Sequence, residues 1–320
     1  MPRFNIHHIT KYTYEGPVRD SANQIVLFPV KDEFQEVLKQ ELVITNDPAV
    51  DIFTDYYGNE VGAFTNAEPH SILTIDSKVE VITKPRPALT DEIGKETQWE
   101  HLRQVRWQVP YIDFLKQEQF DALKQVLEQI HPEEAGLLTP LEAAKRLKTY
   151  VYEHFQYIKG VTTVETTLDE IWKLKAGVCQ DFAHILLVLL RQIHIPARYV
   201  SGYICPNRNG MRGEGATHAW IEAYIPYNGW VGLDPTNNCL AGDLYVRLAV
   251  GRSFSDCSPV KGTYKGTAGH VLEVGVSVSY ENGSTITEEE KTVLTPQPSG
   301  NGVPEQNSYR RYMEMMQQQQ

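Results

Sequence analysis

Residues 177–193 read Gly-Val-Cys-Gln-Asp-Phe-Ala-His-Ile-Leu-Leu-Val-Leu-Leu-Arg-Gln-Ile, a glycine and a cysteine leading directly into a long apolar run. Apolar side chains recur in this run at three- and four-residue intervals, a spacing that predicts an α-helix over 180–194. Most of the other positions are apolar too, so the helix should be central and buried. Cys179 would then lie at its N-terminal edge, where free backbone N–H groups and the helix dipole favour a thiolate. Its position alone is equally compatible with a buried structural cysteine.

A β-hairpin is predicted after this helix. Strand patterns over 217–225 and 230–233 flank Pro226-Tyr227-Asn228-Gly229, whose residues are typical of a tight turn. His218 lies near the start of the first strand, and Asp234 ends the second strand, where a proline stops the ladder. The hairpin should therefore bring the histidine and the carboxylate within a few residues of register.

The register of this hairpin decides whether the two side chains touch. Counting through a four-residue turn places Asp234 opposite Ile221, so direct contact with His218 requires a bulge or a diagonal reach. Along the first strand, His218 and Trp220 share one face, while Ala219 and Ile221 lie on an opposite, apolar face suited to packing on the helix. Taken alone, His218 could be an ordinary histidine and Asp234 a turn residue before proline.

Cys179, His218 and Asp234 together have the composition of a nucleophilic site. A thiol at a helix N-terminus needs an imidazole to take its proton, and the imidazole needs a carboxylate or an amide to fix its tautomer. The three residues occur in this order on a helix, a strand and a second strand. This arrangement favours cysteine-dependent catalysis over three unrelated structural residues.

The sequence around these residues resembles the bacterial transglutaminase-like family. The similar blocks are Gly177–His184, Ile195–Tyr203, Thr217–Glu222, Gly232–Asn237, Gly251–Asp256 and Pro259–Gly262. The resemblance extends over roughly residues 1–280 and implies a papain-like α+β core of the transglutaminase type. It also implies that Cys179 is the nucleophile, His218 the base and Asp234 the partner that orients the base.

Further residues are candidates for the same site. Gln180 and the backbone N–H of Cys179 could donate hydrogen bonds to a developing oxyanion. Tyr157, Trp172 and Trp220 could line the cleft, although core packing is the alternative interpretation of such aromatic residues. The segment 207–215, rich in glycine and containing two arginines, could be a lid, a cleft wall or a solvated loop.

The predicted elements divide the chain into five parts with an α+β fold. Residues 1–85 show period-two patterns and turn residues that predict an N-terminal β-sandwich-like module, similar to the family's own N-terminal region. Residues 86–138 form a helical connector, and 139–265 form the catalytic core, with helices packed on an antiparallel sheet. Residues 266–280 predict a strand that could pair with the N-terminal module. The polar residues 281–320 are expected to be disordered.

Charge, hydropathy and cysteine content limit the kinds of partner and cofactor that the protein is expected to bind. A net charge of −11 without a basic cluster disfavours nucleic acid, and the absence of an apolar run of about 18 residues or a leader pattern predicts a cytoplasmic protein away from membranes. The four cysteines lack a CxxC pair and are expected to be free thiols. No calcium-loop pattern occurs either, so neither a metal nor another cofactor is expected.

Three functions remain open on the sequence. With water as acceptor, a thioester on Cys179 gives a protease or amidase acting on a peptide or protein amide. With an amine as acceptor, the same site gives a transglutaminase. A non-catalytic module could instead keep the fold and bind peptides in the cleft. We expect hydrolysis, because water is always present and excluding it requires a purpose-built acceptor tunnel.

Overall fold

The structure of the chain, a computed structural model, describes residues 1–164, 166–205, 211–213, 217–266 and 268–281, and the backbone of 295–296. Apart from Glu281 and the backbone of 295–296, the tail expected over 281–320 therefore lies outside the described residues, as does most of the segment 207–215. Within the described part of the chain, no helix combines the length and the apolar character needed to cross a membrane.

A long first strand organises the N-terminal β-rich region. The strands of this region are β1 (Arg3–Ile25), β2 (Gln35–Ile44), β3 (Asp51–Thr54), β4 (Glu60–Asn66) and β5 (His70–Thr83). The first half of β1 pairs antiparallel with β5, which in turn pairs with β2. Its second half pairs with β4, which pairs with β3. Phe4 and Ile6 are buried while Asn5 between them is exposed, so the predicted period-two pattern is confirmed.

Helices and two short strands follow in the middle of the chain. They are α1 (Lys95–Val105), α2 (Leu123–Ile130), α3 (Pro140–His154), β6 (Gln156–Tyr157), α4 (Leu168–Leu174), β7 (Ala176–Gly177) and α5 (Cys179–Gln192). Both α3 and α4 begin with a capping box. In each, a threonine, Thr139 or Thr167, accepts a hydrogen bond from the N–H of a glutamate three residues later, Glu142 or Glu170.

An antiparallel sheet completes the core beside these helices. Its strands are β8 (Ala197–Ile204), β9 (Thr217–Ile225), β10 (Gly229–Asp234), β11 (Cys239–Leu240) and β12 (Tyr245–Gly251). They lie in the spatial order β11-β10-β9-β8-β12. Ala219, Ile221 and Ala223 of β9 share one buried cluster with the apolar residues of α5. The predicted α+β core, with a central helix packed on the small apolar face of this strand, is therefore confirmed.

The end of the described chain returns to the N-terminal region. The elements there are α6 (Phe254–Cys257), β13 (Val260–Lys265), β14 (His270–Tyr280) and β15 (Thr295–Pro296). β14 runs antiparallel to the first half of β1, with Phe4 opposite Tyr280. β13 runs antiparallel to the second half of β1. Residues 260–265 were expected in the catalytic core, but they belong to the N-terminal sheets. Local patterning cannot reveal this, because pairing between distant strands depends on cross-strand contacts.

A buried charge network joins the N-terminal region to the core sheet. Glu222, on the polar face of β9, is fully buried and accepts hydrogen bonds from Arg198 at 2.6 and 2.9 Å and from Arg86 at 3.0 Å. Arg247 of β12 lies 3.7 Å away and pairs with Asp32 of the N-terminal region. Burial raises the pKa of Glu222, but the three guanidinium groups outweigh it and lower that pKa to about 2. The carboxylate therefore stays ionised, and the N-terminal region covers this face of the core sheet.

Candidate active site

Cys179 is the first residue of α5 and is partly exposed to solvent. The helix start is fixed by Asp181, whose carboxylate accepts hydrogen bonds from the backbone N–H of Val178 at 2.7 Å and from Oγ1 of Thr162 at 2.6 Å. The thiol therefore lies at the positive end of a helix whose remaining N–H groups can stabilise a negative charge. This is the position that the sequence predicted for it.

Gly177 is required for a reason that the sequence did not reveal. The backbone at this position is not left-handed, so the constraint is not one of backbone conformation. It comes from Asp181, whose carboxylate would collide with a Cβ atom at position 177. The glycine thus makes room for the carboxylate that fixes the first turn below Cys179.

The hairpin register differs by one residue from the prediction. Gly229 pairs with Ile225, so the turn contains three residues rather than four, and Leu233 lies opposite Ile221. Extending this register by one residue brings Asp234 level with Trp220. The corrected register matters because side chains alternate between the faces of a strand.

The correction places Asp234 on the same face as His218. Asp234 is a diagonal neighbour of His218, since the histidine lies two residues before the position opposite the aspartate. The diagonal contact is made without a bulge, and Nε2 of His218 lies 2.9 Å from Oδ2 of Asp234. Both side chains are completely buried.

Five donors among the described residues hold Asp234. Its Oδ2 accepts hydrogen bonds from Nε2 of His218 at 2.9 Å, the hydroxyl of Tyr245 at 2.8 Å and Nδ2 of Asn237 at 2.8 Å. Its Oδ1 accepts from the backbone N–H groups of Thr236 at 2.8 Å and Asn237 at 3.3 Å. Burial raises the pKa of Asp234, but His218 and these donors lower it below the ordinary value of 3.8. The group is therefore an ionised carboxylate with a fixed orientation.

His218 uses one ring nitrogen and keeps the other available. Nε2 is occupied by Asp234, and Nδ1 makes no hydrogen bond of ordinary geometry within the described residues. Burial lowers the pKa of His218, but the charge of Asp234 and then that of Cys179 outweigh it and raise the pKa above 6.5. Nδ1 is thus the nitrogen that can exchange a proton with Cys179, and the imidazolium is favoured at neutral pH.

Other neighbours enclose the imidazole. The ring of Trp220 stacks on it with centroids 6.2 Å apart, and Tyr245 packs at 6.3 Å. On the Nδ1 side lies Gly213, where the backbone is left-handed (φ 83°) and any side chain would strike the ring. The described part of the predicted lid or cleft wall, residues 211–213, therefore contacts the histidine directly.

The other predicted site residues, Tyr157, Gln180 and Trp172, differ in their position relative to Cys179. Tyr157 pairs with Gly177, and burial raises its pKa to about 12 with a further contribution from the charge of Cys179, so it lies beside Cys179. Gln180 follows Cys179 on the first turn of α5 and is partly exposed. Trp172 is buried in the helical core against Phe155, which supports core packing rather than a cleft position.

Two residues that hold Asp234, Tyr245 and Asn237, were not among the predicted site residues. Asn237 is also tied to Arg212, one of the two arginines of the predicted lid or cleft wall. Asn237 belongs to the block Gly232–Asn237, so its place three residues after Asp234 was a usable signal. Tyr245 lies on β12, a strand that does not neighbour β10, and no local pattern identifies it. Among the described residues, no group of three or more His, Cys, Asp or Glu side chains is arranged to hold a metal ion.

Profiles of known families match both the N-terminal β-rich region and the core of this chain. The profile of the Transglutaminase-like superfamily matches residues 128–235, which include all three predicted catalytic residues. The profile of the Bacterial transglutaminase-like N-terminal region matches residues 4–82. The fold and the site thus define a transglutaminase-like core preceded by its β-rich N-terminal region.

Individual relatives extend the match over nearly the whole chain. The uncharacterized protein ML0607 of Mycobacterium leprae is 32% identical over 283 residues, which cover 87% of this chain and 99% of that protein. A protein-glutamine gamma-glutamyltransferase of Pseudomonas aeruginosa is 31% identical over 122 residues, 36% of this chain but only 18% of that protein. The crystal structure of a "putative cysteine protease" from Cytophaga hutchinsonii superposes with a TM-score of 0.69 at 22% identity, covering 93% of this chain and 94% of that one, and shows the same fold. The chain belongs to the bacterial transglutaminase-like family.

Proposed function

We propose that the protein is a cysteine hydrolase, a protease or amidase that cleaves a peptide or side-chain amide through a thioester on Cys179. The observation that carries the proposal is the buried contact of 2.9 Å between His218 and Asp234, which leaves Nδ1 of His218 for a cysteine at a partly exposed helix N-terminus. The match of residues 128–235 to the Transglutaminase-like superfamily, whose members are cysteine-dependent enzymes, supports this assignment.

The first half of the reaction forms the thioester. The Cys179 thiolate attacks the carbonyl carbon of the amide, and the oxygen of the resulting tetrahedral intermediate takes up the negative charge. The N–H groups of the first turn of α5, with Gln180 as a further candidate, are positioned to stabilise this charge. The His218 imidazolium then gives its Nδ1 proton to the leaving nitrogen, the C–N bond breaks and an amine departs.

The second half resolves the thioester. Neutral His218 takes a proton from water as the water oxygen attacks the thioester carbon, and the C–S bond breaks to give a carboxylic acid and the thiolate. Asp234 stabilises the imidazolium in both halves without taking a proton itself. Water has access because Cys179 and Gln180 are partly exposed. An amine in place of water would give acyl transfer, which is the second candidate function.

We expect hydrolysis to exceed amine transfer when both acceptors are present. The test incubates a library of blocked peptides, including glutamine peptides, with and without a primary amine such as cadaverine, and identifies the products by mass spectrometry. The Cys179→Ala variant is the blank. Free acids as the main products are expected, and cadaverine adducts in excess of acids would favour the transglutaminase instead. Peptide binding without either product would favour a non-catalytic module.

The cytoplasmic location expected from the sequence stays a prediction.

A further inference from the structure

Arg212 is anchored to the triad through its backbone. Its N–H donates to Oδ1 of Asn237 at 2.8 Å, and its carbonyl oxygen accepts from Nδ2 of Asn237 at 3.1 Å. The same Nδ2 donates to Asp234, and the next residue, Gly213, lies against Nδ1 of His218. The backbone of Arg212 is therefore fixed relative to two members of the triad.

The side chain of Arg212 extends towards the third member. Its guanidinium lies over the rings of Tyr152 and Tyr157, 5.4 and 5.6 Å from their centroids. Tyr157 pairs with Gly177, two residues before Cys179. After burial, the opposing charges of Cys179 and Arg212 both act on the pKa of the Tyr157 hydroxyl. The guanidinium is thus held over Tyr157, a side chain on which the charges of both Cys179 and Arg212 act.

Among the residues that the structure describes, no carboxylate pairs with the guanidinium of Arg212. Within the described residues, its side chain makes no ion pair, and its one hydrogen bond is a long contact of 3.5 Å to the carbonyl oxygen of Thr236. The residue is exposed, in a chain whose net charge is −11. By contrast, Arg198 and Arg247 are paired with buried or partly buried carboxylates. A stacked guanidinium with free N–H groups is suited to bidentate binding of a carboxylate.

We infer that Arg212 is a specificity-determining residue that binds a substrate carboxylate next to the scissile amide. The inference rests on the proposed function and narrows it to acyl donors that carry an acidic side chain or a free α-carboxylate near the reacting carbonyl. The two sources share the same chemistry and differ only in where the carboxylate is attached. Arg212 acts on binding, so its loss should leave the chemistry of Cys179 intact.

The first test needs no turnover. Iodoacetate carries a carboxylate and iodoacetamide does not, so the ratio of their alkylation rates at Cys179 measures carboxylate binding beside the thiolate. We expect Arg212→Gln to lower this ratio about tenfold, Arg212→Lys to lower it less, and the exposed control Arg103→Gln on α1 to leave it unchanged. An unchanged ratio in Arg212→Gln, or an equal slowing by both reagents, would overturn the inference.

The second test identifies the source of the carboxylate. Three matched peptides carry a glutamate side chain, a free α-carboxylate or neither next to the scissile amide, and kcat/KM is measured for wild type and Arg212→Gln. A selective loss for one acidic peptide, with the neutral peptide unaffected, is expected, whereas an equal loss for all three contradicts the inference. If wild type cleaves none of the peptides, the proposed hydrolase fails, while the iodoacetate ratio still decides the role of Arg212.

Discussion

Replacement of Cys179 by alanine is expected to lower kcat/KM for any cleaved amide by at least about 10⁴-fold. The variant retains His218, Asp234 and the N–H groups of α5, but it has no atom that can form the thioester. Residual activity would come only from substrate binding and oxyanion stabilisation. The fold should persist, because the side chain is partly exposed and alanine favours the helix. The measurement is amide turnover with a circular-dichroism melt of the same samples.

Cys205→Ala is the matched control for this variant. Cys205 is a buried thiol in the cluster that joins the N-terminal sheets to β8 and β12, on the far face of the sheet from α5. Its loss should leave turnover within a few-fold of wild type, even if the melting temperature falls slightly. Equal turnover in Cys179→Ala and wild type would exclude Cys179 as the nucleophile, whatever the fate of the control.

Replacement of Asp234 by asparagine should lower kcat/KM by about 10³- to 10⁴-fold. The five groups bonded to Asp234 all donate, whereas an amide offers one acceptor oxygen and an NH₂ group. Turning that oxygen towards His218 makes the NH₂ face the N–H groups of Thr236 and Asn237, and turning it away makes the NH₂ face Nε2 of His218. Unfolding should also become easier by about 1–3 kcal/mol, since a buried donor is left without an acceptor.

The loss of charge adds to the loss of geometry in this variant. The negative charge of Asp234 raises the pKa of His218, whereas burial lowers it. Without that charge the effect of burial is opposed less, so the imidazolium is disfavoured at neutral pH. Cys179 alkylation should therefore slow most at pH 6 to 7 and recover at alkaline pH, a change of profile that simple destabilisation does not produce. Asp243→Asn, on the partly buried loop before β12, is the control and should match wild type. A normal profile in Asp234→Asn would contradict the role assigned to the carboxylate.

The sequence predicted the parts of the site that are encoded locally. The helix at Cys179 and the alternating faces of β9 depend on residues that are close to each other in the sequence, so spacing and residue type identify them. The prediction that Cys179, His218 and Asp234 form one site followed from the predicted hairpin and from the family resemblance.

What the sequence did not predict depends on distant contacts or on atomic detail. A single residue in the turn changed the register and moved Asp234 to the correct face, because the period of a strand is two. Tyr245 and the return of β13 and β14 to β1 arise from strand pairing across much of the chain. The need for Gly177 is visible only once Asp181 is placed beside it.

Alkylation of the four cysteines by iodoacetamide across pH tests the central claim, the activation of Cys179, most directly. Burial raises the pKa of the Cys205, Cys239 and Cys257 thiols, so these groups should react slowly until the solution is alkaline. Cys179 should react at least about tenfold faster than they do at pH 6, and His218→Ala should remove this advantage. Peptide mass spectrometry gives the four rates from one sample. A Cys179 that alkylates no faster than the other three, with the same rise at alkaline pH, would contradict the account.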